Sequence, residues 1–335
     1  MPISHTAQPL FVSTESLPQQ SAELWGAIEQ LPWLLGDFVW SAWSYMGESA
    51  LGAEGYAPTP RACKHVGWPY HTSSSGDVDI VGVPRAQAAY RRVLFNVSSL
   101  EVVVHAPSPK GAEGSELIHP WGWPDERQTW SWKFADGRVP TLMLRVFCRC
   151  DAVVMTLNGE ALTSTPTPVL ASNLTAVFSV AYVHGHLEAM GMIGGRVVAN
   201  ASLTSAGTPV AISLQVEEGS IIASRDALAH VHALVVDAAG EHVPWAVASI
   251  TFDLDIATPA SAVAEIVAVG NGDPSDVSSF QQRTRRTYRG RCMAIVRPGN
   301  VSSMPKASTI VVLARASGLR DGRIAIALQA DSKFV

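Results

Sequence analysis

Apolar positions follow one rhythm over roughly the first hundred residues and another over the rest. Residues 9–14 form a short apolar, β-branched run that ends in Glu15-Ser16. After Pro18, the stretch 21–31 sets Leu24, Trp25, Ile28 and Leu31 at helical spacing, which predicts a strand followed by a helix. Residues 34–43 form a second buried-strand run. Beyond a long Gly-, Pro- and Ser-rich loop, 85–95 carries Ala88, Ala89, Arg92, Val93 and Phe95 in helical register. Strands alternating with helices predict parallel α/β architecture, and two such units are too few to close a barrel.

From residue 100 the pattern is almost wholly that of strands: 100–105, 141–148, 152–157, 176–182, 197–203, 210–216, 230–236, 249–254, 266–269, 292–296 and 309–314. Turn signals at Asn158-Gly159, Gly194-Gly195, 237–240 and 270–273 punctuate them. A composition change near 107–114 and a break near 205–209 divide the chain into three expected parts. These are an α/β part over 1–107 and two immunoglobulin-like β-sandwiches over 108–206 and 207–335, each of roughly 100 residues.

Composition narrows the function classes. With 47% apolar and 16% charged residues the chain is of ordinary globular type, and no apolar run approaches the ~18 residues of a membrane span. A net charge of -5 gives no electrostatic reason to expect a nucleic-acid partner. The one basic cluster, Arg283, Arg285, Arg286, Arg289 and Arg291, reads as a solvated face. Four cysteines are too few for a disulfide scaffold and lack zinc-ligand spacing; Cys148 and Cys150 are expected to pack on one face of a strand. Asn96, Asn173, Asn200 and Asn300 open N-x-S/T sequons, which matter only in a secreted or lysosomal form. The opening residues have neither a basic nor an apolar signal region, so this chain is expected to encode no secretory signal, and its compartment stays open.

Retaining hydrolysis of a glycoside needs two carboxyl groups ~5–5.5 Å apart, one attacking the anomeric carbon and one cycling as acid and base. Glu15 follows the apolar Leu10-Phe11-Val12, where the catalytic end of a barrel strand would lie. From position alone it has two readings: a nucleophile, or a charge favoured at a helix N-terminus. The pairs Trp121/Trp123 and Trp130/Trp132 would each set two indoles on one face of an extended strand, as core packing or as a platform for glycan. His119, His184 and His186 lack a spacing that demands a metal.

The text around Glu15 favours the first reading. Thr14-Glu15-Ser16-Leu17-Pro18, Trp25, the run Gly36-Asp37-Phe38-Val39-Trp40-Ser41-Ala42-Trp43 and Tyr45-Met46-Gly47-Glu48 closely resemble the seventh and eighth barrel strands of family 2 β-galactosidases. The resemblance continues through Trp68-Pro69, Gly76-Asp77-Val78-Asp79, Tyr90-Arg91, Trp121-Gly122-Trp123-Pro124, Leu157-Asn158-Gly159 and Val269-Gly270-Asn271-Gly272-Asp273, covering nearly the whole chain. It implies the last two strand-helix units of a (β/α)8 barrel followed by two sandwiches, a retaining β-galactosidase-like glycosidase, a carbohydrate substrate and no cofactor or metal. Glu15 would be the nucleophile, Trp40 would line the sugar subsite, and Glu48 and Asp77 would bind sugar hydroxyls.

Two departures follow from the same comparison. The family's acid/base, on the fourth barrel strand, would precede Met1, and its loss alone is worth ~10²–10⁴ in rate. An N-terminal half or another subunit would have to complete the barrel, and the isolated chain is expected to be inactive. Ser44 stands where relatives usually carry Asp, which puts that carboxylate's contact in doubt. The competing function is a non-catalytic β-sandwich module that binds carbohydrate or protein.

Overall fold

The computed structural model describes residues 10–49, 51–52, 54–57, 68–108, 115–134, 139–299 and 308–329. Most of its regular structure is strand, with few helices. Two compact units form. The first takes residues up to 130 together with 134–204, and the second takes 131–133 with 205 onward.

In the first unit, Phe11–Ser16 (β1) and Leu34–Val39 (β2) pair in parallel, joined through the helix Ser21–Gln30 (α1). Register slips between Phe11, Ser13 and Ser16 break strict alternation, and this two-stranded sheet leaves much apolar surface open: Leu10, Phe11, Leu35 and Phe38 are all more than half exposed. The helix Ala86–Leu94 (α2) buries Ala86, Ala89, Tyr90, Val93 and Leu94, an i, i+3, i+4, i+7, i+8 stripe. That stripe runs through Tyr90 and Leu94 rather than Ala88 and Arg92, because it packs on Val103 and Phe147 of the neighbouring sheet and on Trp123. Full burial of each large side chain contributes about 1.5–3 kcal/mol. Arg149 closes the far end of α2, donating to the carbonyls of Val93 at 3.0 Å and of Leu94, while also reaching Glu29 of α1 at 3.2 Å.

The first sandwich begins at Leu100–His105, ahead of the expected 107–114 break. One sheet orders Thr175–Ala181, Thr141–Cys148, Leu100–His105 and Glu126–Arg127; the other orders Thr167–Pro168, Ala152–Leu157, His186–Ile193 and Arg196–Thr204. Alternate positions such as Val153, Met155 and Leu157 are buried, as period-two strands with one covered face require. Cys148 and Cys150, expected only to pack, are joined in a disulfide: the strand ends at Cys148 and the following bend brings the sulfurs together.

The second unit holds Ala211–Val216, Ala229–Val236, Arg291–Arg297 and Glu265–Gly270 in one sheet, and Ser220–Ile222, Gly322–Gln329, Ser308–Arg315, Ser249–Leu254 and Thr284–Arg286 in the other. Val231, Ala233, Ile250, Phe252, Ile310 and Ile326 share its core. The arginine cluster is not uniformly solvated. Within Thr284–Arg286 strand alternation sends Arg286 outward and Arg285 inward, where it is 1% exposed, while Arg283, ahead of the strand, is exposed. Arg285 donates to the carbonyls of Val269 at 3.0 Å, Ser278 at 3.2 Å and Ser279 at 3.0 Å, and faces the Asp276 carboxylate at 3.0 Å.

Candidate active site

Glu15 is the penultimate residue of β1 and is exposed. Ser16 lies opposite Val39 in the parallel pair, so Trp40, directly after β2, leaves the sheet at the same end as Glu15. The Trp40–Ser41 peptide is cis. Trp40 Nε1 donates to Tyr45 Oη at 3.1 Å, and the two rings meet edge to face with centroids 6.1 Å apart at 89°. Tyr45 Oη donates in turn to Glu48 Oε2. Burial, the bond to Glu48, and the charges of Glu48 and Glu15 push the phenol's pKa up. Trp40 and Glu48 thereby meet at one hydroxyl, which also feels the charge of Glu15.

A second segment holds this group in place. Ser44 N–H donates to Val78 O at 2.9 Å, Val78 N–H to Ala42 O at 3.1 Å, and Asp77 N–H to Ser41 O at 2.9 Å. Ser73 grips Tyr45 from both backbone sides: its N–H donates to Tyr45 O at 2.8 Å and its Oγ accepts from Tyr45 N–H at 3.1 Å. Thr72, Ser73 and Ser75 are fully buried in consequence. Close approach makes Gly76 obligatory, since a Cβ there would lie 2.1 Å from the Ser44 nitrogen.

Asp77 is placed on this support, and its carboxylate is taken up by Arg91 of α2. Burial pushes the Asp77 carboxyl above its ordinary value, while Arg91, Arg92 and Arg85 pull it down. Asp79 closes the adjoining turn by accepting the N–H groups of Val81 at 3.0 Å and Val83 at 2.9 Å. Ser44 is buried, and its hydroxyl makes no hydrogen bond among the described residues. Asp37, on β2, accepts from Ser16 Oγ at 2.5 Å.

The tryptophan pairs divide instead of forming two-indole platforms. Trp123 is buried against Tyr90 and Phe147, with its N–H on Glu126 at 2.8 Å; Trp130 is fully buried, with its N–H on Val183 O at 2.9 Å. Neither pair lies within a strand, so the alternation that would align their rings does not apply. His119 Nδ1 accepts from Trp121 N–H at 3.2 Å, and His186 Nδ1 bonds Thr204 Oγ1 at 3.1 Å. Among the described residues no group of three or more His, Cys, Asp or Glu side chains is arranged to hold a metal ion, and no helix is long and apolar enough to cross a membrane.

Sandwiches preceded by a parallel strand-helix-strand piece, with Glu15 and Trp40 at the strand ends, fit the C-terminal part of a glycoside hydrolase of the family 2 type. Residues 212–325 match glycoside hydrolase family 2 C-terminal domain 5, and 140–199 match a domain of unknown function (DUF4982). The β-galactosidase BoGH2A of Bacteroides ovatus is 22% identical over 262 residues, which are 78% of this chain and 25% of that protein. A putative β-glucuronidase of Formosa agariphila is 22% identical over 270 residues, 79% of this chain and 21% of that protein. A solved family 2 glycosyl hydrolase from Bacteroides cellulosilyticus superposes with a TM-score of 0.80 at 27% identity, covering 96% of this chain and 39% of that one. The family model, the curated relatives and the solved structure together support a C-terminal part of a glycoside hydrolase of family 2. The chain spans a quarter or less of the length of these two curated relatives.

Proposed function

We propose that the chain supplies the nucleophile half of a retaining β-glycosidase of β-galactosidase type. The observation that carries this reading is Glu15 at the C-terminal end of β1, with Trp40 leaving the adjacent parallel strand at the same end. In this reading β1, α1 and β2 belong to the last two units of a (β/α)8 barrel. The Glu15 carboxylate attacks the anomeric carbon as the aglycone leaves, forming a glycosyl ester that water then hydrolyses. Trp40 offers its face to the apolar C–H side of the sugar ring, and Glu48 accepts a sugar hydroxyl. Asp77, engaged by Arg91, acts chiefly by holding the support under Tyr45.

The proton donor for the leaving group comes from a carboxyl on an upstream barrel strand. The same upstream strands cover the open faces of β1 and β2, where Leu35 is 67% and Phe38 65% exposed; a parallel sheet buries both faces. A β-galactoside is the substrate proposed, on the resemblance of the residues from Gly36 to Glu48 to the β-galactosidase pattern. The test is nucleophile rescue. With the upstream barrel strands joined, Glu15→Ala abolishes turnover of an aryl β-galactoside, and azide restores it with α-galactosyl azide as product. Undiminished turnover in Glu15→Ala rejects the reading.

A further inference from the structure

An indole N–H only donates, and an ionised carboxylate only accepts. The phenol between Trp40 and Glu48 therefore has one arrangement, accepting from Trp40 Nε1 at 3.1 Å and donating to Glu48 Oε2. Its backbone has little freedom, because Ser73 holds both its N–H and its carbonyl. The edge-to-face contact at 6.1 Å sets the phenol ring against the indole. A hydrogen bond at the indole's one polar atom, combined with a ring contact, defines the plane of the indole; either alone would leave it free to swing.

We propose that Tyr45 is a positioning residue of the sugar subsite, whose hydroxyl fixes the plane of the Trp40 indole and the reach of the Glu48 carboxylate together. This rests on the glycosidase reading of Glu15 and Trp40, and it adds the residue that aligns them. The sugar's apolar face and one of its hydroxyls then meet a stacking surface and an acceptor already set in register, as preorganised binding requires. A phenol is protonated at neutral pH, with an ordinary pKa of about 10, and the upward shift from burial and Glu48 only reinforces Tyr45 as a donor to Glu48.

The experiment uses the full chain with 15N-labelled tryptophan indoles. Trp40→Phe identifies one of ten indole N–H resonances. Tyr45→Phe should move that resonance while those of Trp123 and Trp130, in the core, stay in place. Glu48→Gln, which keeps an acceptor oxygen, should leave it near its original position, whereas Glu48→Ala should displace it. With the upstream barrel strands joined, titration with methyl β-D-galactoside should show about tenfold weaker binding in Tyr45→Phe, the loss expected for one subsite constraint. An unmoved Trp40 resonance in Tyr45→Phe overturns the proposal and leaves the glycosidase reading intact. A moved resonance with unchanged galactoside affinity overturns the subsite role. If Tyr45→Phe moves the resonance but the parent with its upstream barrel strands joined binds no galactoside, the glycosidase reading is contradicted and the subsite falls with it.

Discussion

Asp77 and Arg91 form an ion pair that ties the segment beneath Tyr45 to helix α2, with the Arg91 side chain only 3% exposed and that of Asp77 19%. Removing one member of such a pair leaves an uncompensated buried charge. Arg91→Met should therefore destabilise the first unit by about 3–5 kcal/mol, and the double variant Asp77→Asn, Arg91→Met by less. Urea unfolding followed by tryptophan fluorescence measures both. Equal losses in the single and double variants would show that the pair is not what holds this segment.

Gly76 sits where the two backbone segments touch. A methyl group there would meet the Ser44 nitrogen and the Trp43 carbonyl carbon, both backbone atoms that cannot swing aside. Gly76→Ala should cost at least the 1–3 kcal/mol typical of overpacking and should shift the Trp40 indole resonance as the 41–46 segment moves. A variant as stable as the parent, with that resonance in place, would contradict the described packing.

In the second unit, Arg285 makes three hydrogen bonds to carbonyls and faces Asp276 from a fully buried position. Lysine cannot reproduce this fork of donors. Arg285→Lys should lower stability by about 1–3 kcal/mol through unmet carbonyls, and Arg285→Met by about 3–5 kcal/mol. Arg283→Lys, at an exposed position, should change stability by less than about 0.5 kcal/mol. Calorimetric melting of the three variants separates the buried arginine from its neighbours.

His242 gives the second unit an acid-sensitive term. Burial, with Arg291 beside it, lowers its pKa to about 4, and its Nδ1 accepts from Arg291 Nη2 at 3.2 Å. Between about pH 6.5 and pH 4 the unfolded chain binds a proton at this site that the folded chain does not. Stability is therefore full above about pH 6.5 and falls as the pH drops towards 4, by up to about 3 kcal/mol from this residue. His242→Gln should flatten that part of the stability profile. A parent profile already flat between pH 7 and pH 4 would exclude the effect.

Large apolar residues made much of this architecture readable. The expected strands at 100–105, 141–148, 152–157 and 249–254 coincide with the observed ones, and both main helices fall within a residue of their expected ends. His186–Ile193 was hidden because its fully buried positions are Leu187, Ala189 and Gly191, and small residues carry almost no period-two signal. Gly322–Gln329 was hidden differently: its buried Ile326 and Leu328 alternate with exposed Ala325 and Ala327, and apolar alanines on the outer face blur the period-two contrast. Arg285 was misplaced because a run of like charges conceals which member the strand turns inward. At the candidate site, Glu15, Trp40, Glu48 and Asp77 are singled out by their spaced motifs. The roles of Tyr45 and Arg91 were not legible, since they depend on 41–46 lying against 71–79 and on α2 reaching Asp77, pairings between segments that no local pattern encodes.

The central claim is that Glu15 bonds covalently to the anomeric carbon. A 2-deoxy-2-fluoro-β-galactoside with a dinitrophenolate leaving group needs no proton donor for departure and traps the glycosyl ester. Applied to the protein with its upstream barrel strands joined and followed by peptide mass spectrometry, it should leave the fluorosugar on Glu15 alone. A label on any other residue would contradict the account.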